Sequence, residues 1–174
     1  DLLSMEDVVA AVEKTFQGMG EGTVVNPSKV NLDLGESAPY PPYNGFMNAM
    51  PAYVGFADVA GLKWAGGNLG ERKKRNIPYC SSLIMLVNPH INNFISVLDG
   101  ALITNMRTGA QTAVALKYLL NHGSSQRRPI RLGIYGAGMQ GHMQTRAIAT
   151  LFHIEELRIY DVSRPPLERF RADM

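Results

Sequence analysis

Ile130-Arg131-Leu132-Gly133-Ile134-Tyr135-Gly136-Ala137-Gly138-Met139-Gln140-Gly141 is the stretch that decides the fold of this 174-residue chain. A short apolar run ends in Gly136-x-Gly138-x-x-Gly141, and a helical pattern continues from there to about Phe152. Leu157-Arg158-Ile159-Tyr160-Asp161 then reads as a second strand, with Asp161 standing 20 residues beyond Gly141. Strand, glycine turn, helix and strand in that order predict the first βαβ unit of a doubly wound sheet. The chemistry asks for these residue types. Gly136 permits a tight turn, Gly138 lets the backbone approach a pyrophosphate, and Gly141 lets helix and strand pack closely. The helix N-terminus turns its unpaired N–H groups and positive dipole end toward phosphate. Asp161 is placed to accept from both hydroxyls of a ribose. The competing reading is a glycine-rich turn with a capping aspartate in an α/β unit that binds nothing.

Outward from this stretch, Ser163 is a cap for a third helix whose first turn holds Pro165 and Pro166. On the other side, residues 122–129 (His-Gly-Ser-Ser-Gln-Arg-Arg-Pro) are polar, turn-rich and aperiodic, which predicts a linker. Residues 1–121 form a mixed α+β unit. Ser4 to Gly20 reads as a helix with a capping-box-like start at Ser4 and Asp7, an apolar stripe of Val8, Val12, Phe16 and Met19, and a stop at Gly20. Val30–Leu34, Phe46–Val54, Leu62–Ala65, Ser82–Val87 and Phe94–Leu98 read as strands, with a loop at Ala38–Pro42. Asp99-Gly100 is a turn signal, Ile103-Thr104 leads on, and a helix is expected over about Thr108–Asn121.

Composition sets the outer limits. Hydrophobic residues make up 45% of the chain, enough for a core, and 17 basic against 15 acidic side chains are too balanced for a disordered one. Charge is unevenly placed: residues 1–62 carry 2 basic and 8 acidic groups, 63–126 carry 7 and 2, and 127–174 carry 8 and 5. Anionic ligands are therefore expected from the middle onward. Arg72-Lys73-Lys74-Arg75 reads as a solvated loop, and no aromatic-interleaved basic stripe suggests nucleic acid. One cysteine, Cys80, excludes a disulfide framework. His90, His122, His142 and His153 share no ligand spacing, so no metal site is expected. With no membrane-length apolar run and no secretory leader, the expected setting is soluble and cytoplasmic. The opening at Asp1 suggests that a few leading residues are missing.

Three segments in order carry a family resemblance: Gly61-Leu62-Lys63-Trp64, Ile103-Thr104-Asn105-Met106-Arg107-Thr108-Gly109-Ala110, and Gly136-Ala137-Gly138-Met139-Gln140. The chain resembles the ornithine cyclodeaminase/mu-crystallin family, from its first helix to Asp161. The resemblance implies that residues 1–121 are a substrate-binding and dimerisation domain and residues 130–174 the first part of an NAD-binding Rossmann domain. It also implies a homodimer and a small amino or imino acid substrate. The leading activity is that of an ornithine cyclodeaminase, in which NAD takes a hydride from the substrate α-carbon and returns it as proline forms and ammonia leaves. The alternatives are an NAD(P)-dependent ketimine reductase or amino-acid dehydrogenase, and a non-catalytic binding protein or oxidase accessory subunit.

The resemblance further implies roles for particular residues. Lys63 and Arg107 hold the substrate carboxylate, which agrees with the need of an anion for cations and with the bidentate fork of arginine. Lys29 stands where the family has arginine, keeping the charge and losing the fork. Tyr79 falls where relatives place a small hydroxyl residue near the cofactor, and a packed tyrosine is the competing reading. Met139 and Gln140 lie along the pyrophosphate. The family's acid/base aspartate corresponds to a position beyond Met174, so residues 1–174 alone are expected to be nearly inactive.

Overall fold

The computed structural model describes residues 2–36, 38, 43–121 and 129–174. In chain order the elements are α1 (Met5–Gly20), β1 (Val24–Val25), β2 (Val30–Asp33), β3 (Gly45–Val54), β4 (Val59–Asn68), α2 (Leu69–Lys74), β5 (Cys80–Asn88), β6 (Asn93–Asp99), α3 (Ala101–Asn121), β7 (Pro129–Tyr135), α4 (Met139–Leu151), β8 (His153–Tyr160) and α5 (Arg164–Asp173). They cluster into two compact units: residues 1–14 with 105–174, and residues 15–104. The expected loop at 38–42 lies outside the described residues except for Ala38, and so does the expected linker except for Pro129, which opens β7.

In the first unit β7 and β8 pair in parallel, with α4 as the crossover between them. This is the βαβ arrangement that the glycine stretch predicts. Val9, Ala110, Ala113, Val114, Ala147, Ile148 and Phe152 form the buried centre, and Ile130, Leu132 and Ile154 pack against it from the strands. Small residues on α3 are what allow such close packing. A Cβ on Gly109 would stand 2.5 Å from the Met143 carbonyl oxygen, so α3 and α4 touch backbone to backbone there. The start of α1 follows the sequence: the Asp7 N–H donates to Ser4 Oγ at 3.1 Å, and the Ser4 hydroxyl donates to Asp7 Oδ2 at 2.6 Å.

The second unit is an antiparallel sheet in the order β1-β3-β4-β5-β6, with β2 also pairing β3. Its rows run across the strands: Met50 faces Lys63, Lys63 faces Ile84, and Ile84 faces Leu98. Glycines let the strands close tightly, since a Cβ on Gly66 would meet Met47 Sδ at 2.0 Å. Much apolar surface stays open: Val30 is 68% exposed, Phe94 66% and Val97 63%. A hollow of about 440 Å³ on the sheet is walled by Val25, Tyr53, Leu62, Met85, Val87 and Phe94 among others.

The structure corrects several expectations. Helix α3 begins at Ala101, not Thr108, because Asp99 Oδ1 accepts the Ala101 N–H at 2.9 Å and starts the helix before the β-branched Ile103-Thr104 pair. Asp99-Gly100 therefore opens a helix. The basic run belongs to α2, which Asn68 caps by accepting from the Gly70 and Glu71 N–H groups, both at 3.0 Å; only Arg75 lies just past its end. Helix α1 does end at Gly20, and the chain reverses two residues later at Gly22 in the left-handed region (φ 75°). Ser163 occupies the cap position of α5 but makes no side-chain cap bond. No helix among the described residues is long and apolar enough to cross a membrane.

One ion pair ties α1 to α3 in the first unit. Lys117 Nζ donates to Glu13 at 2.6 and 2.9 Å, and the Tyr118 hydroxyl donates to the same carboxylate at 2.7 Å. Burial works against ionisation of Glu13, but the two hydrogen bonds and the lysine charge outweigh it and draw its pKa below the ordinary value. The sign follows from a depressed folded pKa: the stabilisation is present above the unfolded value, about 4.3, and is lost as pH falls through the folded one. Glu13→Gln should lower unfolding free energy at pH 7 by about 1–2 kcal/mol. In denaturant titrations the gap from wild type should shrink below about pH 4.

Candidate functional site

The glycine turn lies between the ends of β7 and β8, and its backbone is zipped to β8. The Gly136 N–H donates to the Tyr160 carbonyl at 2.7 Å, and the next N–H, of Ala137, donates to Asp161 Oδ2 at 2.8 Å. The other Asp161 oxygen accepts the Ser163 N–H at 2.9 Å. These backbone donors, Ala137 first and Ser163 next, hold the Asp161 carboxyl below its ordinary pKa, so it is an anion at neutral pH.

Each fingerprint glycine has a separate physical reason. Gly136 has φ 99°, a conformation that L side chains rarely adopt. A Cβ on Gly141 would sit 2.2 Å from the Gly136 carbonyl oxygen, which only glycine avoids. A Cβ on Gly138 would meet nothing within 4 Å. That open space lies at the start of α4, where Gly138 is the N-cap residue and no side chain caps the helix. An open hollow of about 390 Å³ continues from it, lined by Ile134, Tyr135, Gly136, Gly138, Gln140, Gly141 and Gln144. Uncapped first-turn N–H groups, a positive dipole end and room for a group in place of a side chain suit an anion such as pyrophosphate. Met139 is exposed at the first position of α4.

Arg107 belongs to the same compact unit. It lies in the second turn of α3 and does not begin the helix, so its charge is not misplaced against the N-terminal dipole. It is exposed, its Nη1 donates to Gln111 Oε1 at 3.4 Å, and partial desolvation draws its pKa down while leaving it a cation. On either side of it α3 is fixed to α4: Gly109 crosses Met143, and Gln140 Nε2 donates to Asn105 Oδ1 at 3.1 Å. Asn105 and Gln144 are residues that the sequence reading missed. A glycine inside an apolar helix is a signal for such a crossing, and Gly109 offered it.

Lys29, Lys63 and Tyr79 belong to the sheet unit. Lys63 lies on β4 opposite Met50, and Lys29 directly precedes β2, whose first pair is Val30 with Ala49. Tyr79 packs on Phe46, ring centres 6.4 Å apart, and covers Gly67. Among the described residues no group of three or more His, Cys, Asp and Glu is placed to hold a metal ion.

The sequence model of the ornithine cyclodeaminase/mu-crystallin family matches residues 1–174. An alanine dehydrogenase from Archaeoglobus fulgidus is 32% identical over 169 residues, covering 97% of this chain and 48% of that protein. The Thermococcus litoralis Δ1-pyrroline-2-carboxylate reductase, solved with NADH and L-proline, superposes with a TM-score of 0.84 at 28% identity, over 99% of this chain and 50% of that one. An archaeal alanine dehydrogenase dimer with bound NAD gives 0.82 at 30% identity, over 99% and 49%. The chain thus spans about half the length of these relatives.

The two glycines at the start of α4 should separate in a stability measurement. Gly141→Ala forces backbone apart and should cost about 1–3 kcal/mol. Gly138→Ser adds a favoured cap residue in open space and should stay within about 1 kcal/mol of wild type, or gain. Thermal unfolding of both variants checks the contrast.

Proposed function

The chain belongs to the ornithine cyclodeaminase/mu-crystallin family, and on that premise we propose that the full protein is an NAD-dependent enzyme transferring a hydride at the nitrogen-bearing α-carbon of a small amino or imino acid. The observation that carries this reading is the glycine turn: an open space at Gly138, a helix start with no side-chain cap, and a carboxylate at the end of β8. When bound, a nicotinamide supplies the hydride acceptor or donor, and the protein supplies position and charge.

On this reading residues 130–174 begin the dinucleotide domain and residues 1–121 serve substrate binding and dimerisation. The backbone N–H groups after Gly138 hold the pyrophosphate, with Met139, Gln140 and Gly141 along it. Asp161 keeps lone pairs for the adenosine ribose after its two backbone bonds, since an ionised carboxylate offers about four acceptor sites. Its fixed charge disfavours the additional phosphate of NADP, and Arg164 at the first position of α5 is the counter-argument. Lys63, Lys29 and Arg107 supply positive charge for the substrate carboxylate, Arg107 as a fork and the lysines as point charges. Tyr79 is assigned to the cofactor's surroundings only through the resemblance. The proton that accompanies the hydride comes from the aspartate that the resemblance places beyond Met174. The open apolar sheet supports a homodimer through this face. An unpaired Cys80 fits a reducing, cytoplasmic setting.

Net oxidation or reduction is the favoured form, because the relatives compared above are a dehydrogenase and a reductase. Ornithine cyclodeamination shares the first hydride step and returns the hydride to the same substrate. Nicotinamide absorbance separates the two: a change in step with substrate supports net redox, and ammonia release at constant absorbance selects cyclodeamination. Fluorescence titration of the full-length protein should show NADH bound more tightly than NADPH; equal or tighter NADPH binding reverses the cofactor choice. Arg107→Lys should lower kcat/KM by about 2 kcal/mol, roughly thirtyfold, with the melting temperature held. Kinetics unchanged within about twofold would remove Arg107 from the substrate site.

A further inference from the structure

Where β4 runs through α2 into β5, an open hollow of about 350 Å³ at the end of the sheet brings two arginines, Arg72 and Arg75, to apolar walls. Leu34, Met47 and Ile77 supply those walls, and Tyr43 and Ser81 line the hollow with hydroxyl-bearing side chains. The volume is near the lower end of ligand sites, which run from about 300 to 1,000 Å³. A Cβ on Gly66 would run into Met47 Sδ, so Met47 lies against the β4 backbone on this face of the sheet. The Tyr79 ring covers Gly67 on the other face, the one that strand alternation also gives to Lys63.

The walls are tied together by side-chain bonds of their own. Asn68 Oδ1 accepts from the Gly70 and Glu71 N–H groups, and its Nδ2 donates to the Tyr43 carbonyl, joining α2 to the segment before β3. Arg72 is half-buried, and its Nε donates to the Pro78 carbonyl. That bond orients the guanidinium and leaves its two terminal nitrogens without a partner among the described residues. Glu71 is the only acid among the described lining residues, and it is already engaged. Lys74 Nζ donates to it at 2.8 Å, and Arg75 Nε stands 3.9 Å from its other oxygen. The hollow therefore keeps the positive charge of Arg72 unmatched.

These features select one class of ligand. A bare phosphate would engage the cations and leave the apolar walls wet, while a neutral apolar molecule would leave the arginine fork unmet. A carboxylate matches the paired N–H groups of a guanidinium. We propose that this hollow binds a monocarboxylate with an apolar body of roughly eight carbons, its charge on Arg72 and its body against Leu34, Met47 and Ile77. Arg75 adds a second cation, and the proposal does not depend on the dinucleotide reading.

The test is isothermal titration of the full-length protein with octanoate, octanamide and acetate. Wild type should bind octanoate saturably, with octanamide and acetate each at least about tenfold weaker, since one lacks the charge and the other the body. Absence of saturable octanoate binding overturns the proposal, and so does octanamide bound as tightly as octanoate. Arg72→Ala should weaken octanoate at least about tenfold with the melting temperature held, and Arg72→Lys should fall between it and wild type, keeping charge without the fork. Octanoate bound by Arg72→Ala within about twofold of wild type overturns the site, because the ligand would then rest elsewhere, as on the apolar hollow beside Tyr53. If Arg72→Ala does not fold, Ile77→Asp decides: Ile77 is an exposed wall residue, and a carboxylate there should repel octanoate by at least about tenfold. Unchanged octanoate affinity in Ile77→Asp overturns the proposal as well. NADH titrated in parallel separates the two sites: octanoate bound without NADH keeps this proposal and removes the dinucleotide reading, and NADH bound without octanoate does the reverse.

Discussion

Two backbone contacts without side chains between them fix α4, and the candidate site depends on both. At Gly141 the helix lies against the Gly136 carbonyl, and at Met143 it lies against Gly109 of α3. Close-packed interiors transmit such constraints, because no side chain is there to rearrange and absorb a shift. The first contact sets the height of the α4 N-terminus over the turn between β7 and β8, and so where its N–H groups point. The second sets where α3, and with it Arg107, stands beside that N-terminus. Buried alanines at 110, 113 and 147 continue the close packing away from the crossing.

The candidate anion site that results is made of backbone, with one carboxylate as its brace. Gly136 and Ala137 both donate to the end of β8, one to a main-chain carbonyl and the other to Asp161. That arrangement tightens the turn and at the same time puts a fixed negative charge near the place proposed for phosphates. The two are compatible because Asp161 spends its charge on backbone donors of its own, while the helix dipole acts within the first turn of α4.

How much of this was legible in the residues follows from what kind of signal each feature leaves. The βαβ unit was legible because three glycines, a strand on either side and Asp161 all constrain the same few atoms. The sheet strands were legible from period two, although β4 runs from Val59 to Asn68 where only Leu62 to Ala65 stood out, since Gly61, Gly66 and Gly67 dilute the pattern. The start of α3 was not legible, because Ile103-Thr104 favours a strand and the deciding term is one hydrogen bond to Asp99. Helix α2 hid for the same reason: Asn68 closes it and Glu71 pairs with Lys74, local terms that no periodicity records. The place of Lys63 opposite Met50 depends on the register between β3 and β4, and the Asn105–Gln140 bond spans 35 residues. Neither leaves a mark in local sequence.

Asp161 braces the turn, and in the proposed function it also sets the cofactor preference, so on that reading the two properties cannot be altered independently. A serine there would remove the charge that disfavours a ribose phosphate, yet it would also shorten the acceptor that Ala137 and Ser163 share. Losing charge-assisted acceptance from two backbone donors would loosen the turn and offset the selectivity that would be gained. A change of preference at lower structural cost would leave Asp161 in place and add positive charge beyond it, at Val162 or Ser163, where Val162 is 94% exposed and packs on nothing that has to be rebuilt. The geometry of the turn thus makes the residues after β8, rather than the carboxylate itself, the freer place for cofactor choice to vary.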